Sequence, residues 1–281
     1  MALGLALSGG GAKGAAHIGV LQALKEENIN IDYISGTSSG SIVATLYACG
    51  YTPYQILSIF NNFCGQIFDF DTKLLFKAVG KIFNSRRSIT SLSKGENLEN
   101  IVKYNCRKKG IENINQIKLP LAIPTVDINE NETVYFLNKN IGDAKNMYYS
   151  GNISTIVRAS CSYPVIFEPK IYKRRLLVDG GLKENVPVSI LNKMGADRTI
   201  AVCFDEKLPK LYDMDIVNVG LRCLDIMGAD LAKNEIKKAN FVIRPRVSKI
   251  NMLDCSKINI AANEGYYATK ENIEYIKEMI N

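Results

Sequence analysis

Histidine is nearly missing: the 281 residues contain one, His17. Seven cysteines, at positions 49, 64, 106, 161, 203, 223 and 255, include no C-x-x-C pair. Without clustered His and Cys a zinc site has no ligand set, so no metal is expected. The odd cysteine count also argues against a disulfide framework and predicts reduced, mostly buried thiols in a cytosolic protein. No window approaches 18 uninterrupted apolar residues, so no transmembrane segment is expected. The apolar start at residues 1–7 lacks a basic flank and runs straight into Ser8-Gly9-Gly10-Gly11, a poor signal peptide. Internal repeats and low-complexity linkers are absent too. What remains is an ordinary globular composition, 47% hydrophobic, with enough apolar mass for one α/β domain. A net charge of +7 permits attraction to phosphates, on nucleic acid or an anionic membrane, although a solvated lysine surface accounts for it equally well.

The stretch richest in chemistry is Tyr33-Ile34-Ser35-Gly36-Thr37-Ser38-Ser39-Gly40-Ser41-Ile42. It reads as a short strand turning sharply into a helix, with Ser38 at the centre of a G-x-S-x-G. Gly36 and Gly40 lack the Cβ atoms that would collide where the two elements meet. The hydroxyl then sits at a helix start, where free N–H groups and the helix dipole favour an oxyanion. The plainer alternative is a Gly/Ser loop capping an ordinary helix.

A second glycine motif precedes it. Residues 3–8 read as a buried strand, residues 15–27 as a helix, and between them lies Gly9-Gly10-Gly11-Ala12-Lys13-Gly14, a G-x-G-x-x-G. That context also suits a dinucleotide. The fingerprint needs an acidic residue at the carboxyl end of the second strand, however, and Asp32 precedes that strand. P-loop spacing is missing. The preferred reading is an oxyanion hole beside Ser38.

A nucleophilic serine needs a proton acceptor. No histidine follows Ser38, which excludes the Ser-acid-His order of α/β-hydrolases. His17, deep in the first helix, is expected to pack or cap. The best candidate is Asp179, led into by an apolar strand at 175–178, followed by Gly180 and Gly181, and expected at the end of another parallel strand.

Further helices are expected over 39–49, 53–62, 97–109, 153–160, 215–238 and 261–280. A hairpin is expected at 119–127 and 132–137, and strands at 199–204 and 241–243. Residues 66–90 stand apart: Lys73, Lys77 and Lys81 fall on one helical face among apolar residues, suited to an anionic membrane surface or a lid.

Taken together, Leu7-Ser-Gly-Gly-Gly-Ala-Lys-Gly-Ala-Ala-His-Ile-Gly-Val20, Gly36-Thr-Ser-Ser-Gly40 and Val178-Asp-Gly-Gly-Leu-Lys-Glu-Asn-Val-Pro187 resemble the patatin-like phospholipases. Val157-Arg-Ala-Ser-Cys-Ser-Tyr-Pro-Val-Ile-Phe167 also looks like the family's stretch before its acidic strand. The resemblance implies a three-layer α/β/α fold with a mostly parallel central sheet, spanning a catalytic domain at 1–204. Residues 205–281 would be a C-terminal extension packed on it. It further implies a Ser-Asp dyad of Ser38 and Asp179, a glycine-loop oxyanion hole centred on Gly10 and Gly11, no cofactor, and acyl-lipid hydrolysis. The substrate would come from a membrane surface reached from the cytoplasm, with no nucleic-acid partner. Lys13 stands where the family commonly has arginine, which removes a planar fork for phosphate. A transacylase with the same dyad, or a non-catalytic nucleotide- or lipid-binding regulator, are the alternatives.

Overall fold

Every residue of strand β1 (Leu3–Leu7) is buried, as a strand covered on both faces must be. Leu3, Leu5 and Leu7 point to one apolar layer and Ala6 to the other. Gly4 keeps that second face flat, since a Cβ there would lie 3.0 Å from Ala196 Cβ. The computed structural model describes residues 1–67, 91, 93–204 and 216–280.

Around β1 the described residues form a nine-stranded sheet. Its further strands are β2 (Tyr33–Gly36), β3 (Leu121–Asp127), β4 (Glu132–Leu137), β5 (Met147–Tyr148), β6 (Lys170–Tyr172), β7 (Arg175–Asp179), β8 (Arg198–Val202) and β9 (Phe241–Ile243). The main order is β5-β4-β3-β2-β1-β8-β9, with β7 joined to β3 and β6 to β7. Pairs β1/β2, β2/β3, β1/β8, β8/β9 and β4/β5 are parallel. Pairs β3/β4, β3/β7 and β6/β7 are antiparallel.

Helices cover both faces. One face carries α1 (Ala15–Glu26), α2 (Ser39–Ala48), α3 (Pro53–Ile67), α4 (Glu96–Lys108), α5 (Ile153–Ser160), α8 (Ile258–Lys270) and α9 (Ile273–Ile280). The other carries α6 (Val188–Met194) and α7 (Ile216–Ile236). This is the three-layer α/β/α arrangement that the motifs imply. Helix α8 lies so close to α1 that a Cβ on Gly19 would come 1.8 Å from Ala262 O. Residues 241–280 thus contribute a strand and helices to the same sheet and core. Among the described residues no helix is long and apolar enough to cross a membrane.

Two expectations fail. Strand β7 is antiparallel to its partner β3, because it enters from a hairpin with β6. The cysteines are also not all reduced: Cys64 of α3 is disulfide-bonded to Cys255, 191 residues further on. Helix α3 packs on α8, where Asn61 Nδ2 donates to Asn259 Oδ1 at 2.9 Å, and this brings the turn before α8 against the last turn of α3. Local spacing carries no sign of so distant a pair. Cys49, Cys106, Cys161 and Cys203 are buried cysteines outside any disulfide, and Cys223 is an exposed one. The basic stretch at 66–90 falls outside the described residues from position 68 onward.

Candidate active site

The site forms where β1 and β2 end together. Leu7 is paired with Gly36 and with Val202, so the glycine loop and the serine turn leave the sheet at the same level. Thr37 N–H donates to Leu7 O at 3.1 Å and Ser8 N–H to Val202 O at 3.1 Å. Ser38 follows at the N-cap of α2 with φ 53° and ψ −126°. A non-glycine residue at positive φ is strained, and the turn holds it by hydrogen bonds. Ser38 N–H donates to Ser160 Oγ at 3.1 Å, and Ser38 O accepts from Ser41 N–H and Ser41 Oγ. The flanking glycines are sterically required. A Cβ on Gly36 would come 2.3 Å from Gly40 O, and one on Gly40 2.4 Å from Leu7 O.

Asp179 arrives from the opposite direction. Strand β4 occupies one edge of β3 along residues 122–127. The other edge is shared: β2 pairs with Leu121 and Ala122, and β7 with Thr125, Val126 and Asp127. Because β2 runs parallel to β3 and β7 antiparallel, their carboxyl ends face each other along that edge. Ser38 therefore meets Asp179. Arg175 anchors the start of β7 by donating to Asp127 Oδ2 at 3.0 Å, Glu132 Oε1 at 2.6 Å and Tyr148 Oη at 3.0 Å. At the other end Asp179 N–H donates to Ser162 O at 3.0 Å. Buried Arg158 shapes that loop, donating to Ser162 Oγ at 2.6 Å, Lys94 O at 3.0 Å and Glu168 O at 2.8 Å.

The Asp179 carboxyl is 1% exposed. Burial raises its pKa to about 7, opposed by the Gly181 N–H and the nearby Ser38 hydroxyl. Oδ1 accepts the Gly181 N–H at 2.8 Å, while Oδ2 is buried and accepts no hydrogen bond from the described residues. One oxygen is thus held and the other is free for a proton. Gly180 and Gly181 form the tight turn that follows, and a Cβ on Gly180 would meet Pro124 O at 2.5 Å.

The glycine loop divides in two. Gly9 is buried, and its N–H donates to Asn185 O at 3.2 Å and Asn185 Oδ1 at 3.0 Å, so it is already used. Gly10 and Gly11 are partly exposed, and neither N–H donates a hydrogen bond within the described residues. Gly11, at φ +61°, and Ala12 rest on Met252, whose carbonyl accepts Ala12 N–H at 2.7 Å. Gly14 packs against Ser39, and Lys13 lies near Asp225 of α7.

His17 is fully buried and far from a base's role. Its Nε2 donates to Ser8 O at 2.8 Å, its ring lies 4.9 Å from that of Phe204, and burial lowers its pKa to about 4. It is a neutral support beneath the glycine loop, as its depth in the helix suggests. Three neighbours lie within the stretches that carry the resemblance but had no role assigned from the sequence: Ser160, Asn185 and Glu184. Glu184 is 5% exposed, and burial raises its pKa to about 7 against the opposing effect of the Tyr135 hydroxyl, which donates to Oε2.

The site thus sets a serine on a strained strand-to-helix turn beside a buried carboxyl, the two meeting along one edge of β3 in an α/β sheet. Residues 5–192 match the family model of the patatin-like phospholipases, and the chain belongs to that family. A lysophospholipase NTE1 of Meyerozyma guilliermondii is 30% identical over 220 residues, covering 75% of this chain and 13% of its own length. An uncharacterised NTE family protein of Mycobacterium tuberculosis is 25% identical over 99% of this chain and 47% of its own. The chain therefore spans less than half the length of these relatives. Among solved structures, VipD of Legionella pneumophila shares the fold with a TM-score of 0.51 at 17% identity, covering 98% of this chain and 66% of that one.

Proposed function

We propose that this chain hydrolyses acyl-lipid esters with Ser38 as nucleophile, Asp179 as base and the Gly10 and Gly11 N–H groups as oxyanion donors. The observation that carries the reading is the meeting of β2 and β7 on one edge of β3, which sets a strained serine against a buried carboxyl raised to about 7. An ordinary aspartate, near 3.9, is a feeble base for a hydroxyl at neutral pH. Burial makes this one a stronger base, with its pKa raised to about 7, and the oxyanion donors stabilise the charge that leaves the serine.

The steps follow from the two oxygens of Asp179. Oδ1 stays on Gly181 N–H, and Oδ2 accepts the proton from Ser38 Oγ as that oxygen attacks the ester carbonyl carbon. The tetrahedral oxyanion is held by Gly10 and Gly11. Oδ2 then returns the proton to the departing alcohol, leaving an acyl-serine. Water, deprotonated by the same oxygen, releases the fatty acid and regenerates Ser38.

The yeast relatives are named lysophospholipases, which makes single-chain phospholipids the first substrate class to test. Delivery from a membrane surface, with the basic stretch at 66–90 assisting, is part of this proposal. The test is fatty-acid release from lysophosphatidylcholine by parent, Ser38→Ala and Asp179→Asn, with fluorophosphonate labelling alongside. Turnover and labelling in the parent alone are expected. A folded parent that does neither refutes the reading, and transfer of the acyl group to an added alcohol in preference to water would make it a transacylase.

A further inference from the structure

Resting on the proposed chemistry, we infer that Asn185 is the positioning residue of this site, the link that aligns the glycine loop with both Ser38 and Asp179. Its two oxygens share the Gly9 N–H, at 3.0 and 3.2 Å, so the chain entering Gly10 and Gly11 is fixed by this residue. The stretch around it is tied to the serine strand and to the turn after Asp179. Ser35 Oγ donates to Pro187 O at 2.7 Å, Thr37 Oγ1 to Glu184 O at 2.8 Å, and Glu184 N–H to Gly180 O at 2.8 Å.

The position of Oδ1 is central. A Cβ on Gly9 would lie 2.6 Å from Asn185 Oδ1 and 3.0 Å from Ser38 Cβ, which puts the oxygen within about 6 Å of the nucleophile's own carbon. A Cβ on Gly181 would lie 3.2 Å from the same oxygen and 3.0 Å from Asp179 Oδ1, which bounds those two oxygens at about 6 Å. Hydrogen bonding alone would accept Asn or Asp here. Electrostatics separates them: a carboxylate at that distance would disfavour ionisation of Asp179 and weaken the base at neutral pH. The amide supplies the same acceptor without charge.

The experiment compares Asn185→Ala and Asn185→Asp with the parent, measuring kcat, KM and Tm between pH 5 and 9 on a p-nitrophenyl ester. Removing the acceptor lets the loop shift, and displacements on the order of 1 Å cost up to about 100-fold. Asn185→Ala should therefore lose about 10- to 100-fold in kcat with KM within about threefold. Asn185→Asp should recover most of kcat at pH 9 and move the acid limb up by about one unit. A kcat for Asn185→Ala within twofold of the parent, or an unmoved limb in Asn185→Asp, overturns the assignment. If Asn185→Ala fails to fold, the limb of Asn185→Asp decides alone. A parent that is folded but inactive and unlabelled defeats the catalytic reading itself, whereas an active parent with indifferent Asn185 variants defeats this inference only.

Discussion

Asp179 sets stability against chemistry, and the conflict is measurable without any substrate. Its carboxyl has a folded pKa of about 7, raised by burial, against roughly 3.9 in an unfolded chain. Because the folded value is the higher, the native state holds this proton more tightly than the unfolded state does. Near pH 4 the native carboxyl is neutral and its burial costs only about 0.5 kcal/mol. As pH rises from 4 to 7 the unfolded chain ionises while the native carboxyl resists, and stability falls. By pH 8 the native state carries a poorly solvated charge, and the gap between a folded pKa of about 7 and an unfolded one of roughly 3.9 amounts to about 4 kcal/mol. Asparagine has no proton to lose and can still accept the Gly181 N–H. The stability of Asp179→Asn relative to the parent should thus grow by about 3–4 kcal/mol between pH 4 and pH 8. Urea denaturation of both proteins at pH 4, 6 and 8 reads this directly. A difference that stays constant with pH, or that favours the parent at pH 8, would refute the electrostatic picture of the site.

Two further outcomes follow from packing. Gly40→Ala would drive a Cβ to 2.4 Å from Leu7 O and 2.6 Å from Ser8 O, both backbone atoms with little room to give. Overpacking of this kind costs about 3 kcal/mol or more, so the variant should be insoluble or lose more than about 5 °C in Tm, and a parent-like Tm would contradict the close approach of α2 to β1. The Cys64–Cys255 link closes a 191-residue separation and should contribute about 2–4 kcal/mol, so dithiothreitol should lower Tm by about 4–16 °C. Denatured, unreduced protein should titrate five thiols; seven would show that the link does not form.

Much of this architecture could be read from the chain because its key signals are local. The serine turn requires Gly36 and Gly40 for contacts within a few residues or with the adjacent strand, and the G-x-S-x-G pattern records that requirement. The apolar runs of β1, β8 and β9 likewise mark strands covered on both faces. Several features escaped because they depend on tertiary pairing. The antiparallel entry of β7 is set by β6 and by Arg175 bridging Asp127 and Glu132, none of which alters the local pattern before Asp179. Helix α3 runs to Ile67 rather than ending near 62, and the final helix breaks between Lys270 and Ile273. The disulfide and the Gly9–Asn185 contact join residues 191 and 176 positions apart, beyond the reach of any spacing rule. Gly9 belongs to the glycine loop, but its N–H is spent on that contact, whereas the Gly10 and Gly11 N–H groups donate no hydrogen bond within the described residues.

The most direct test of Asp179 as the base is the pH dependence of kcat/KM for the parent, Asp179→Asn, Glu184→Gln and His17→Gln. Glu184 must be included because burial raises its carboxyl to about 7 as well, while His17, lowered to about 4, cannot produce a limb at neutral pH. The parent should lose activity as pH falls through about 7, since Asp179 must be ionised to accept the serine proton. That limb should persist in Glu184→Gln and His17→Gln, and Asp179→Asn should show only a low, pH-independent residue of activity. An acid limb that survives in Asp179→Asn, or disappears in Glu184→Gln, would take the base's role away from Asp179.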